Sequence, residues 1–295
     1  MTLKAKKPEA VEKRLKLFLY GPAGVGKTTA SIQFKEAYVI DMENGTDFYS
    51  KTLNKMGSVV LRTNNPDEVK DEIKALLTEK HPYKTLIIDP ITQYYNALQE
   101  KWNRIFEKYA RSEKEREIQD FGPRYWGKVK SEYKSLQRML AQLDMNVIVT
   151  SHQKPLYGEN MVVLGTTYDS AKGDDYFFDL IFQLNKVGEK RIAKTIKERA
   201  ELGENKFPAE FEWSYSNFLK YFGAEAIERE AKPVHMATDA QVAEMNRLLG
   251  IVKLEDGTIE KWLTKAGVNE LSEMTSEQIQ KCLDYLNKKL EVVKV

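Results

Sequence analysis

Gly21-Pro22-Ala23-Gly24-Val25-Gly26-Lys27-Thr28 fits the pattern G-x-x-x-x-G-K-[ST] without a mismatch. Glycines leave backbone N–H groups free to curl around phosphate oxygens, so the stretch, with Thr29 beside it, predicts a nucleoside triphosphate site. In such a site Lys27 reaches the β- and γ-phosphates. The Thr28 hydroxyl holds Mg²⁺, an ion that prefers oxygen ligands. The flanks agree: Leu15-Lys16-Leu17-Phe18-Leu19-Tyr20 reads as a buried strand feeding the loop, and Thr28 to Glu36 as a helix leaving it.

Strands and helices alternate beyond that point. Ala37-Tyr38-Val39-Ile40-Asp41 predicts a second strand, ending in the acidic turn Asp41-Met42-Glu43-Asn44-Gly45. A helix over Thr46 to Met56, a strand over Ser58 to Arg62 and a helix from Pro66 to Lys80, capped by Asn65, follow. The pattern predicts an α/β fold with a mostly parallel central sheet flanked by helices. Lys84-Thr85-Leu86-Ile87-Ile88-Asp89 ends in a carboxylate where P-loop proteins carry their Walker B aspartate, a second Mg²⁺ ligand.

Ile91 to Asp144 reads as helical, broken by the charged run Lys108 to Arg116 and by an aromatic, basic loop from Asp120 to Lys128. Within that loop Arg124, Tyr125, Trp126 and Lys128 combine stacking faces with phosphate-pairing cations. A solvated helix and a packed turn account for the same residues equally well. Asn146 to Gln153 predicts a strand ending in Thr150, Ser151, His152 and Gln153, facing the nucleotide. Lys154 to Asp175 reads as a long loop with a short hairpin strand at Met161 to Leu164. Strands over Asp179 to Leu184 and Arg191 to Lys197, joined by a turn at Gly188, and an edge strand in Phe207 to Trp213 complete the core.

The tail is organised differently. Thr238-x-x-Gln241 and Thr275-x-x-Gln278 match the capping box ahead of apolar helical periods, and a middle helix falls near Thr258 to Ala266. This divides the chain into a core over 1–228, a linker over 229–237 and a small three-helix C-terminal module over 238–295. Net charge is only +2, so no overall basicity announces nucleic acid and any such surface is local. The single cysteine, Cys282, excludes an internal disulfide framework and reads as a small hydrophobe on the last helix. Met1 to Pro8 is basic without an apolar stretch, and nowhere do eighteen apolar residues run together. The expectation is a cytoplasmic protein, neither exported nor membrane-spanning.

Pro90 follows Asp89, so the residue after the Walker B aspartate cannot activate water. Glu43 is the nearest candidate base, and it would be aimed at the γ-phosphate if the second strand neighbours the P-loop strand in the sheet. That arrangement resembles the RecA/Rad-type recombinase core, in which a strand ending in Asp-x-Glu, here Asp41-Met42-Glu43, supplies the catalytic glutamate. The resemblance runs from about Leu15 to Trp213 and implies a RecA-like P-loop NTPase using ATP and Mg²⁺. It implies a γ-phosphate sensor in Thr150 to Gln153, with His152 or Gln153 as candidates and the choice among the four left open. It also implies loops for single-stranded DNA over roughly Lys108 to Lys128 and Lys154 to Lys172, where Lys154, Tyr157 and Lys172 are candidates. Lys197-x-Arg199 looks like the cation pair that such proteins insert into a neighbouring subunit's site, which requires a ring or filament of this chain with itself.

The turn Ile40-Asp41-Met42-Glu43-Asn44-Gly45 and the pair Ser151-His152 resemble the phage-encoded branch, including single-strand annealing ATPases of the Sak type. The helical tail resembles modules of phage recombination proteins, implying contact with DNA or a single-strand-binding protein. Two other classes share the loop: a P-loop kinase, which would need an acceptor pocket and an arginine-bearing lid, and a nucleotide-dependent interaction or loader protein with little turnover.

Overall fold

Apolar, β-branched runs become the inner strands of one sheet. The computed structural model of the protein describes residues 14–112, 122–199, 202–252 and 254–293. In chain order its elements are β1 (Lys16–Tyr20), α1 (Lys27–Ser31), β2 (Ala37–Asp41), α2 (Ser50–Lys55), β3 (Val59–Arg62), α3 (Pro66–Thr78), β4 (Thr85–Asp89), α4 (Ile91–Ser112) and α5 (Pro123–Gln142). Then come β5 (Asn146–Ser151), β6 (Gln153–Tyr157), β7 (Val163–Tyr168), α6 (Asp174–Phe177), β8 (Leu180–Val187), β9 (Lys190–Glu198) and β10 (Glu210–Glu212). Helices α7 (Tyr215–Phe222), α8 (Glu225–Glu228), α9 (Asp239–Leu249), α10 (Thr258–Ala266) and α11 (Ser276–Val293) end the chain.

Among the described residues, eight strands form one sheet in the order β3-β2-β4-β5-β1-β8-β9-β10. The six from β3 to β8 are parallel, and β9 and β10 add antiparallel at one edge. Every residue of β1, β4 and β5 is buried, which is why these strands read as continuous apolar runs instead of alternating ones. The α/β class and the mostly parallel sheet flanked by helices are therefore as expected.

The chain falls into two compact units. The first takes the chain up to Asn64, Pro82–Ala97 and Met145–Ala231. It holds the sheet and an aromatic core in which Phe182 packs on Phe207, Phe211 and Trp213, and Phe34 on Tyr215 and Phe218. The second takes Asn65–His81, Leu98–Asp144 and the chain from Lys232 onward. There the largely buried Glu132 of α5 accepts from Lys101 Nζ at 2.8 Å and Trp102 Nε1 at 2.7 Å, while Lys101 also reaches Asp67 at 2.6 Å, tying α3, α4 and α5 together. The C-terminal helices belong to this unit: Glu273 accepts from Ser135 Oγ of α5 at 2.6 Å. Both capping boxes form, Thr238 with Gln241 and Thr275 with Gln278, and Met245, Leu248, Ile279 and Leu286 make the module's core.

Three local expectations are corrected. The helix after the P-loop stops at Ser31 instead of running to Glu36, and the chain turns so that Phe34 is fully buried. The segment from Pro123 to Lys128 is not a loop but the first turns of α5, because Pro123 at the first helical position presets the backbone. Residues 113–121 of the expected charged and aromatic stretch lie outside the described residues. Lys154 to Asp175 is no irregular loop either: β6 and β7 pair antiparallel as a two-stranded ribbon. Among the described residues, no helix is long and apolar enough to cross a membrane.

One buried polar side chain holds the entrance of the sheet. Asn146, fully buried, accepts from Leu15 N at 3.2 Å and donates to Ile227 O at 2.9 Å. Asn146→Ala strands two buried backbone groups, each costing about 1–3 kcal/mol. The variant should lose about 2–4 kcal/mol in urea unfolding, and Asn146→Leu, which restores volume alone, should not recover it.

Candidate nucleotide site

Parallel strands that start together end together, so β1, β2, β4 and β5 deliver their last residues to one edge of the sheet. The P-loop leaves β1 there. It lines a cavity of about 540 Å³ with Gly21, Pro22, Ala23, Gly24, Gly26, Lys27 and Thr28, joined by Thr29, Glu43, Tyr49, Asp89, Pro90, His152, Gln153 and Arg191. Val25 turns its side chain into the core. The Lys27 ammonium folds back on the loop, donating to the Gly21 and Pro22 carbonyls at 3.0 Å each. Burial lowers its pKa, against the pull of Asp89 and Glu43.

Two carboxylates stand side by side at this edge, because Asp41 and Asp89 are register partners on β2 and β4. Asp41 is fully engaged: it accepts from the backbone N–H of Glu43 at 3.2 Å, of Gly45 at 3.0 Å and of Thr46 at 2.9 Å, and from the Thr46 hydroxyl. These bonds build the acidic turn. Asp89 is buried and accepts from the Thr150 hydroxyl through Oδ1, while Oδ2 has no hydrogen-bond partner in the protein. A Cβ on Gly45 would lie 3.6 Å from Thr28 Oγ1 and 4.0 Å from Asp89 Oδ2, ordinary contact distances that place both oxygens beside this glycine. Two hard oxygen donors side by side, one of them a buried carboxylate oxygen, fit Mg²⁺. Burial raises the Asp89 pKa, with repulsion from Asp41 adding to it.

Glu43 reaches the cavity by a different route from the one expected. β2 is not a neighbour of β1, since β5 and β4 lie between them. The turn built on Asp41 carries Glu43 to the cavity instead. There Gln93 Nε2 donates to Glu43 Oε1 at 2.6 Å, and His152 Nε2 lies 3.0 Å and 3.1 Å from its two oxygens.

The four polar residues at the end of β5 divide by position. Thr150 binds Asp89, and Ser151 shares a 3.1 Å hydrogen bond with Thr92 while donating to the His152 carbonyl at 2.8 Å. His152 and Gln153 line the cavity, and Gln153 Oε1 is buried without a donor.

Other sequence-derived candidates lie elsewhere. Lys197 and Arg199 follow β9 to the end of the sheet away from the P-loop, where Leu180 pairs with both Leu17 and Glu198. Lys197 Nζ donates to the Asp175 and Phe178 carbonyls, and Arg199 Nε pairs with Asp179 at 2.6 Å. Burial lowers the Lys197 pKa, and the neighbouring Arg199 adds to the effect. In the first unit, Lys154 pairs with Asp169 at 3.0 Å, while Tyr157 and Lys172 are exposed. In the second unit, Arg124, Trp126 and Lys128 are exposed on α5, with the Arg124 guanidinium 5.8 Å from the Tyr109 ring centroid and Tyr125 packed on Phe106. Sequence reasoning missed Gln93, Tyr49 and Arg191; the last reaches the P-loop from across the β8–β9 hairpin and carries no local motif.

Comparison with known proteins bears on this cavity. The AAA domain family AAA_24 matches residues 13–199, which is most of the chain and includes every residue lining the cavity. The chain belongs to this AAA domain family. AAA domains are typically ATPases, and membership carries nucleotide binding, usually with Mg²⁺. A crystal structure of the RadB recombinase is similar at 17% identity with a TM-score of 0.41, covering 74% of this chain and 90% of that one. No curated protein matches the chain.

Burial makes the ionised Asp89 of this AAA domain a cost to stability. Its folded pKa lies above the unfolded value, so the folded state holds the extra proton and stability falls as pH rises through the interval between the two. Asp89→Asn removes that slope. Calorimetry of the nucleotide-free protein should show the variant at least as stable at pH 5 and more stable at pH 8, by about 2–4 °C in Tm for each kcal/mol regained.

Proposed function

We propose that this chain is a RecA-like ATPase of phage recombination type that binds and hydrolyses ATP and binds single-stranded DNA for annealing or exchange, its DNA-binding elements following the state of the nucleotide. The observation that carries this reading is the contact between Glu43 and His152. Glu43 lines the nucleotide cavity, and Gln153, next after His152, opens the ribbon β6–β7. A change at the γ-phosphate therefore has a path of one side-chain contact to an exposed element. The ribbon's far end exposes Tyr157, Met161, Val162 and Leu164, surface suited to unstacked bases.

In this reading Lys27 leaves the Gly21 and Pro22 carbonyls to take the β- and γ-phosphates, whose other oxygens the loop amides receive. Thr28 and Asp89 hold Mg²⁺, which neutralises charge on the phosphate oxygens. Glu43 takes the proton of the water that attacks the γ-phosphorus, and the bond to the β–γ bridging oxygen breaks to release ADP and phosphate. His152 and Gln153 register the loss of the γ-phosphate. Lys154, Tyr157 and Lys172 in one unit and Arg124, Tyr125, Trp126 and Lys128 in the other contact DNA. Lys197 and Arg199 act on a neighbouring subunit's nucleotide in a ring or filament. Residues 1–228 serve as the ATPase core, 229–237 as linker and 238–295 as a module for DNA or a single-strand-binding protein, in the cytoplasm of a bacterium or of a phage's host.

ATP turnover with and without single-stranded DNA tests the reading. DNA should stimulate the intact chain, and Glu43→Gln should reduce kcat by about 10²–10⁴-fold with ATP affinity retained. Turnover indifferent to DNA, or phosphate passed to a small acceptor, would sink it. For the trans pair, Arg199→Ala should lower turnover by about 10³-fold or more and leave nucleotide affinity nearly intact. Loss of nucleotide binding by a monomer of that variant would place the arginine's role within its own subunit.

A further inference from the structure

The P-loop is touched from outside by the β8–β9 hairpin at two points. A Cβ on Gly21 would run into the Leu184 carbonyl oxygen of β8, and a Cβ on Gly26 would overlap the Arg191 guanidinium. Gly26 also has φ +94°, a left-handed conformation that glycine adopts without strain. Gly21 is therefore required by the backbone of this hairpin as well as by any phosphate, while Gly26 is required by its own left-handed backbone. Arg191 donates from Nε to the Val25 carbonyl at 3.2 Å and lines the nucleotide cavity. No carboxylate pairs with it among the described residues. Its backbone is fixed independently, because β9 is paired on both sides and the Arg191 carbonyl accepts from Trp213 N at 2.7 Å. A half-buried guanidinium that lines an anion site, anchored through one nitrogen and lacking an acidic partner, has donors left for the ligand.

We propose that Arg191 is a second phosphate-binding cation of this site, supplied by the same subunit as Lys27. The proposal rests on the reading that the cavity takes ATP. Its planar fork complements the point charge of Lys27: one nitrogen keeps the Val25 carbonyl turned outward, and the remaining donors meet the polyphosphate oxygens. The same side chain thereby links nucleotide occupancy to the hairpin at the sheet edge.

The test uses the full chain and a fluorescent ATP analogue, with Arg191→Gln and Arg191→Lys compared. Both replacements offer a neutral or charged N–H to the Val25 carbonyl, but only lysine keeps the charge. Affinity should fall about ten- to a hundredfold in Arg191→Gln and stay within a few-fold of the parent in Arg191→Lys. Equal affinities for the two variants would mean that Arg191 only pins the loop, overturning the proposal. Mixing Arg191→Gln with Lys27→Ala subunits should restore no turnover; restored turnover would show the arginine acting across subunits and overturn it as well. A parent chain that binds no ATP analogue defeats the function proposed above, whereas a parent that binds and an Arg191→Gln variant that binds equally well defeats this inference alone.

Discussion

Two carboxylates buried in register on adjacent parallel strands set the terms for this site. Asp41 and Asp89 are both buried, and two adjacent carboxylates left without donors would be costly. The chain resolves the conflict unequally. Asp41 receives three backbone donors and a hydroxyl, and the turn it thereby organises carries Glu43, Gly45 and Thr46. Asp89 accepts the Thr150 hydroxyl on one oxygen, and its other oxygen lies beside Gly45 and the Thr28 hydroxyl. One carboxylate is used up in building the turn, and the second is held by a hydroxyl from the neighbouring strand.

The P-loop sits between that pair and the antiparallel edge of the sheet. Its glycines face two demands at once, since the Leu184 carbonyl closes on Gly21 and the Arg191 guanidinium on Gly26. The loop meets part of its own electrostatic need, because Lys27 donates to two of its carbonyls.

Much of this was legible in the chain because it is local. The P-loop, the strand ending at Asp89, the turn at Glu43 and both capping boxes each occupy fewer than ten consecutive residues with a fixed physical meaning. Strand order was not legible: no local pattern announces that β4 and β5 come between β1 and β2, and the adjacency expected for Glu43 fails for that reason. Only a short strand of the β6–β7 ribbon, at Met161 to Leu164, was legible, because the ribbon is solvated on both faces, so its apolar residues do not alternate, and Pro155 and Gly165 disguise its strands. Arg191 was invisible for a third reason. It meets Val25 across 166 positions of sequence, and only the folded hairpin brings it there.

The single cysteine gives the C-terminal helices a chemical property of their own. Cys282 is buried against the module's core, and burial raises its pKa, so its thiolate is scarce while the helices stay packed. A thiol reagent gains access mainly when the packing opens, and its rate of reaction then measures the free energy of that opening. Because the chain has no other cysteine, the signal comes from this one position with nothing to subtract. The protein thus carries a built-in gauge of local unfolding in its C-terminal helices.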